Sequence, residues 1–149
     1  MLLLVFSIGA DRYALDVNQV IEVLPLVQLK LVPEAPRGLA GMLNYHQKPI
    51  PVIDISELGL GSPSRRHVST RIILLRAEVS GRERQIGIIA ERVTEFIRKS
   101  NADFAAGEVP GERPPYLAGI AAHGVDLIQL VIPAGLAGTE ISNHLFGSF

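Results

Sequence analysis

The sequence predicts an all-β chain built as two similar small barrels, and three observations carry that prediction. The apolar runs are short and rich in β-branched residues. Turn-forming residues separate them at close intervals. A set of short apolar words also recurs, in the same order, in the second half of the 149 residues.

Strands are expected over residues 2–8, 12–15, 20–24, 49–55, 71–75, 85–90, 93–97 and 127–132. Gly9-Ala10-Asp11, Ser80-Gly81-Arg82 and His123-Gly124-Val125-Asp126 supply turns between them. Many short strands at this spacing argue for barrels or a sandwich. Helix is confined to a turn or two at residues 55–60, another around 102–106 and a C-terminal piece at 139–146. Asp54, just before Ile55-Ser56-Glu57-Leu58, has the position of an N-cap. Two stretches read as loops. Residues 59–69 include Gly61-Ser62-Pro63-Ser64-Arg65-Arg66, and residues 105–115 hold two glycines and three prolines, which a central strand excludes. Neither is long enough to link free domains, so residues 1–149 are expected to form one domain.

The repeat is specific in its order. Leu39-Ala40-Gly41 is echoed by Leu117-Ala118-Gly119, each shortly after a proline. An apolar run follows each triplet, and then a leucine at equal distance, Leu58 and Leu136. Upstream, Val20-Ile21-Glu22-Val23-Leu24 is matched by Val93-Thr94-Glu95-Phe96-Ile97. These are read as two copies of one small barrel motif.

Composition narrows the function. Hydrophobic residues make up 48% and charged residues 19%, enough for a dry core. The formal net charge of -1 provides no field to gather nucleic acid, and 5% aromatics without tryptophan make a poor base-stacking platform. No cysteine is present, which removes disulfides and thiolate chemistry and suits a reducing cytoplasm. The apolar opening, residues 1–6, is too short for a membrane span and lacks a basic leader, so neither a signal peptide nor membrane insertion is expected.

The search for chemistry is negative. His46, His67, His123 and His144 stand in no metal-ligand spacing. No serine elbow, dinucleotide glycine motif or phosphate loop occurs. Asp16 and Asp54 end strands, where capping is the ordinary role of aspartate. No catalytic residue, cofactor or metal is therefore expected. An enzyme using His46 as base and Asp54 as orienter is the weakest alternative. A small-molecule-binding β-barrel sensor is the stronger one, although few polar residues fall inside the apolar runs.

Longer words then become recognisable. Phe6-Ser7-Ile8-Gly9, Arg12-Tyr13-Ala14-Leu15-Asp16 and Val20-Ile21-Glu22-Val23 resemble the opening of CheW-like domains. So do residues 36–45, which run into Pro49-Ile50-Pro51-Val52-Ile53-Asp54, and residues 70–75, 85–93 and 116–120. The resemblance implies two small five-stranded SH3-like barrels packed on a shared core, with short helical turns. It also implies a non-catalytic, cytoplasmic adaptor in chemotaxis signal transduction. Its partners would be the regulatory domain of a CheA-type histidine kinase and the cytoplasmic tip of a chemoreceptor (a methyl-accepting chemotaxis protein).

By the same resemblance Val20 and Glu22 fall where the family contacts partners. Gly87, Val93 and Phe96 fall on the inter-barrel groove that receives the receptor's helical hairpin. Members carry Asn-x-Arg-Gly after the glycine-led strand, whereas this chain has Asn44-Tyr45-His46-Gln47. Histidine is a weaker carboxylate partner than arginine, and loss of the glycine leads one to expect another turn shape. Contacts through Asn44 and His46 are thus expected to differ, as in a divergent pathway.

Overall fold

A computed structural model of the chain describes residues 1–105 and 114–136. Among these described residues, nine strands and one α-helix follow in the order β1 (Leu2–Ile8), β2 (Asp11–Asp16), β3 (Val20–Pro25), β4 (Leu39–Tyr45), β5 (Lys48–Asp54), α1 (Ile55–Leu60), β6 (Arg71–Val79), β7 (Arg82–Arg98), β8 (Leu117–His123) and β9 (Asp126–Val131). The predicted helix at 55–60 is present. The one expected around 102–106 is a single 3-10 turn, Asn101–Asp103. The C-terminal piece at 139–146 and residues 106–113 of the second loop lie outside the described residues.

Two five-stranded barrels share the long strand β7. The first runs β3-β6-β7-β5-β4 and the second β7-β1-β2-β9-β8. In both, the successive pairings are antiparallel, antiparallel, parallel and antiparallel. Thus β3, β6, the first half of β7, β5 and β4 correspond to the second half of β7, β1, β2, β9 and β8. Strands β1 and β2, from the start of the sequence, join β8 and β9 in one barrel.

Strand alternation explains the layers, since neighbouring side chains on a strand point to opposite faces. On β6, Ile72 and Leu74 fill the first barrel with Leu43, Ile50 and Val52. On β1, Leu3 and Val5 fill the second with Ala14, Ile97 and Ile128. The intervening residues, Ile73 and Leu75 on one side and Leu4 and Phe6 on the other, meet in a core shared between the barrels. Burying each such side chain contributes about 1.5–3 kcal/mol.

Three strands differ from the sequence-based expectation. Residues 39–45 and 117–123 are strands, although their glycines and small residues break any apolar run. Residues 85–90 and 93–97 belong to one strand. The register of β7 against β1 shifts where Ser7 pairs with Glu91 and Val5 with Glu95, so the strand bulges at residues 92–94 and passes from one barrel to the other.

Candidate functional site

Except for Gly87, the residues singled out from sequence lie in two surface regions, one on each barrel. In the first, β3 lies at the barrel's edge and the β4–β5 hairpin folds beside it. Val20 is half-buried against the shared core. Glu22 is exposed and accepts a hydrogen bond from the Tyr45 hydroxyl. That bond raises the Tyr45 phenol above its ordinary value of 10.0. His46 is exposed, its ring edge-on to Tyr45 with centroids 4.3 Å apart. The Asn44 Oδ1 accepts from the Gln47 N–H at 3.0 Å and so holds the turn.

His46 and Gln47 have φ of 49° and 69°. Both occupy the left-handed region of a two-residue hairpin turn, which glycine enters without strain. The backbone is therefore strained at two residues that carry side chains.

In the second region the sequence-predicted residues separate. Gly87 is buried inside the first barrel, where an added Cβ would lie 3.1 Å from Val52 Cγ2 and 3.3 Å from Ile72 Cγ2. It is a packing position that leaves room for its neighbours. Val93 is half-buried against the shared core, as Val20 is. Phe96 is 58% exposed and follows it on the edge of the second barrel.

Tyr45 was missed as a site residue, because its contact with Glu22 joins positions 23 apart in sequence. The pair His46 and Asp54 does not form. β5 runs from Lys48 to Asp54, and at about 3.3 Å per residue this separates its ends by roughly 20 Å. Asp54 acts as the expected N-cap, accepting from Ser56 N–H at 3.1 Å and Glu57 N–H at 3.4 Å. Asp16 likewise accepts from Asn18 N–H at 2.9 Å.

A cleft of about 730 Å³ runs along residues 26–31 to Asp54, Glu57, Ser64 and Arg66. Its buried carboxylate, Asp54, is already engaged by the cap and by Ser64. Among the described residues no cluster of His, Asp and Glu is arranged to hold a metal ion. No helix among them is long and apolar enough to cross a membrane.

Fold and surface together define a double-barrel β domain whose distinctive features are exposed corners on the edge strands. The chain belongs to the CheW-like domain family, which matches residues 2–139. It is 26% identical over 99 residues to the chemotaxis protein CheW of Helicobacter pylori, a match covering 66% of this chain and 57% of that relative's length. The crystal structure of the scaffolding protein TtCheW from Thermoanaerobacter tengcongensis superposes with a TM-score of 0.82 at 26% identity, covering 94% of this chain and 89% of that one. Its two SH3-like barrels agree with the architecture expected from sequence.

Proposed function

We propose that the chain is a non-catalytic adaptor that joins the cytoplasmic tip of a chemoreceptor to the regulatory domain of a CheA-type histidine kinase, working in the cytoplasm. The family match over residues 2–139 carries this reading. Residues 1–149 act as one domain in it, because β7 belongs to both barrels. The small-molecule sensor is not favoured, given the relatives.

The surface chemistry suits docking. An amphipathic receptor helix lays its apolar stripe against Val93 and the exposed Phe96 of the second barrel. Val20, Glu22, Asn44 and His46 form a second contact corner on the first barrel. A kinase barrel of similar fold packs against an edge strand, where unpaired backbone groups are available.

The test is titration of the purified chain with a receptor cytoplasmic fragment and, separately, with the kinase regulatory domain from the same organism. Binding of each on the order of tens of micromolar or tighter is expected. Failure of both to bind in that range would remove the adaptor reading.

A further inference from the structure

A notch of about 540 Å³ separates the segment entering β6 from the bulge of β7. His67, Val68 and Arg71 form one wall, and Arg92, Val93 and Thr94 the other. The Val93 N–H donates to the Ser69 carbonyl at 3.0 Å and ties the walls together. Its surface is apolar between the charges: Val68 is 89% exposed and Val93 half-buried.

The charges are one-sided. Among the described residues neither Arg71 nor Arg92 has a carboxylate within ion-pair distance. Arg71 donates only to the neighbouring Thr70 carbonyl, at 3.2 Å. The one carboxylate on residues 67–71 and 91–94, Glu91, is buried and lies 3.8 Å from His67 Nε2. Arg65 and Arg66 add positive charge just upstream. Arg92 is moreover held at φ 52°, a backbone region unfavourable to any residue with a Cβ. Strain of this kind persists where the surrounding structure enforces it, commonly at functional positions.

We propose that this notch receives acidic side chains of the partner helix that seats against Val93, so that the receptor segment recognised by this chain is an amphipathic helix with Asp or Glu beside its apolar stripe. The inference rests on the adaptor reading and specifies the partner's chemistry within it. Arginine forks match carboxylates bidentately, and an acid three or four positions along the helix from an apolar residue shares its face, so it can reach an arginine while that residue meets Val68 and Val93. The open, apolar-floored notch suits a helix face better than a small anion, which needs donors closing round it. Because the charges stay near solvent, they act mainly on partner choice and association rate.

The experiment titrates the full chain, as wild type, Arg92→Glu and Arg92→Gly, with the receptor cytoplasmic fragment and with the kinase regulatory domain at several salt concentrations. Arg92→Glu is expected to weaken receptor binding about tenfold or more and to flatten its salt dependence, with kinase binding unchanged. Arg92→Gly suits the backbone and removes the charge, so it should also weaken receptor binding while remaining folded. Receptor binding unaltered by both substitutions overturns the notch and leaves the adaptor reading intact. Failure of the wild-type chain to bind either partner overturns both. If Arg92→Glu loses both partners while Arg92→Gly keeps the receptor at wild-type strength, the defect is in folding and the notch is overturned. Saturable binding of inorganic phosphate by the wild type, with a receptor affinity indifferent to Arg92, makes a small anion the occupant and overturns it as well.

Discussion

Tyr45 and His123 stand at the same place in the two barrels, and each reaches the carboxylate of the same edge-strand position. Tyr45 pairs with Lys48 beside the β4–β5 turn, and His123 with Asp126 beside the β8–β9 turn. Tyr45 donates to Glu22, while His123 Nε2 lies 3.6 Å from Glu95 Oε1. Glu22 and Glu95 hold matching places next to the register shifts of β3 and β7. The repeat thus extends from the fold to a side-chain clasp that closes each barrel's edge strand onto its hairpin. The second clasp is reinforced by Arg12, which bonds Glu95 and lies 3.5 Å from Asp126.

The Tyr45 clasp has a definite pH dependence. Its hydrogen bond to Glu22 raises the phenol above 10.0, so the folded-state value exceeds the unfolded one. The stability it contributes is fully present below about pH 10 and is lost as pH rises through the higher folded-state value. Tyr13 and Tyr116 are also raised, chiefly by burial. Tyr45→Phe should therefore remove one late-titrating phenol from an alkaline absorbance titration and leave two. An unchanged number of late phenols contradicts the clasp.

Two glycines that look interchangeable in sequence are expected to behave alike for a structural reason. A Cβ on Gly41 would lie 2.6 Å from the Lys30 carbonyl oxygen, and one on Gly119 would lie 2.8 Å from that of Ala105. Those carbonyls accept from Met42 at 2.8 Å and Ile120 at 3.0 Å, the bridges that fasten each connecting segment to its barrel. Gly41→Ala and Gly119→Ala should each cost about 2–3 kcal/mol in urea unfolding. Gly81→Ala, with nothing within 4 Å but φ at 76°, should cost only about 1–2 kcal/mol. Equal cost at all three positions would mean that contact with the crossing segment is not the cause.

How legible the molecule is depends on whether a signal is local. The apolar alternation of β1 and β6 sorts residues between a barrel interior and the shared core, so those strands can be read directly. β4 and β8 hide because a bulge and a glycine interrupt them where another segment crosses, although the repeated Leu-Ala-Gly word marks the crossing. The burial of Gly87 is not legible, because the sequence does not reveal how closely Val52 and Ile72 approach it. The Tyr45–Glu22 clasp and the notch between Arg71 and Arg92 join separate strands, and no local pattern announces either.

The strained turn at the β4–β5 corner offers a stabilising change. Gln47 at φ 69° lies in a region that disfavours side chains by about 1–2 kcal/mol, while glycine there costs extra unfolded-state entropy of about 0.4–1 kcal/mol. Gln47→Gly should raise stability by about 0.5–1 kcal/mol in urea unfolding. The Asn44 bond to the residue-47 N–H survives the change, so the hairpin should keep its register. A loss of stability would show that the Gln47 side chain contributes more than its backbone strain costs.

Asp54 should be the most costly polar residue to remove, and its loss should be felt at a distance. Besides capping α1, it accepts from the Ser64 N–H at 2.9 Å and the Ser64 hydroxyl at 2.7 Å, so one buried carboxylate anchors both the helix and the loop after it. Asp54→Ala removes the cap and strands buried donors, for a combined loss of about 3 kcal/mol. Asp54→Asn keeps an acceptor for the helix but turns donors toward donors on one side, and should cost less. Ser64 precedes Arg65 and Arg66, whose loop is otherwise held through Thr70: the Thr70 hydroxyl donates to the Arg65 carbonyl, and the His67 N–H donates to that hydroxyl at 3.1 Å. Releasing Ser64 should therefore loosen the loop backbone around the two exposed arginines, which a protease must engage. Cleavage after Arg65 or Arg66 should be faster in Asp54→Ala than in wild type, under conditions where both remain folded. The same loop leads into the wall of the notch at His67 and Val68, so receptor binding should weaken alongside. Loop cleavage at the wild-type rate, despite lower global stability, would mean that Asp54 serves the helix alone.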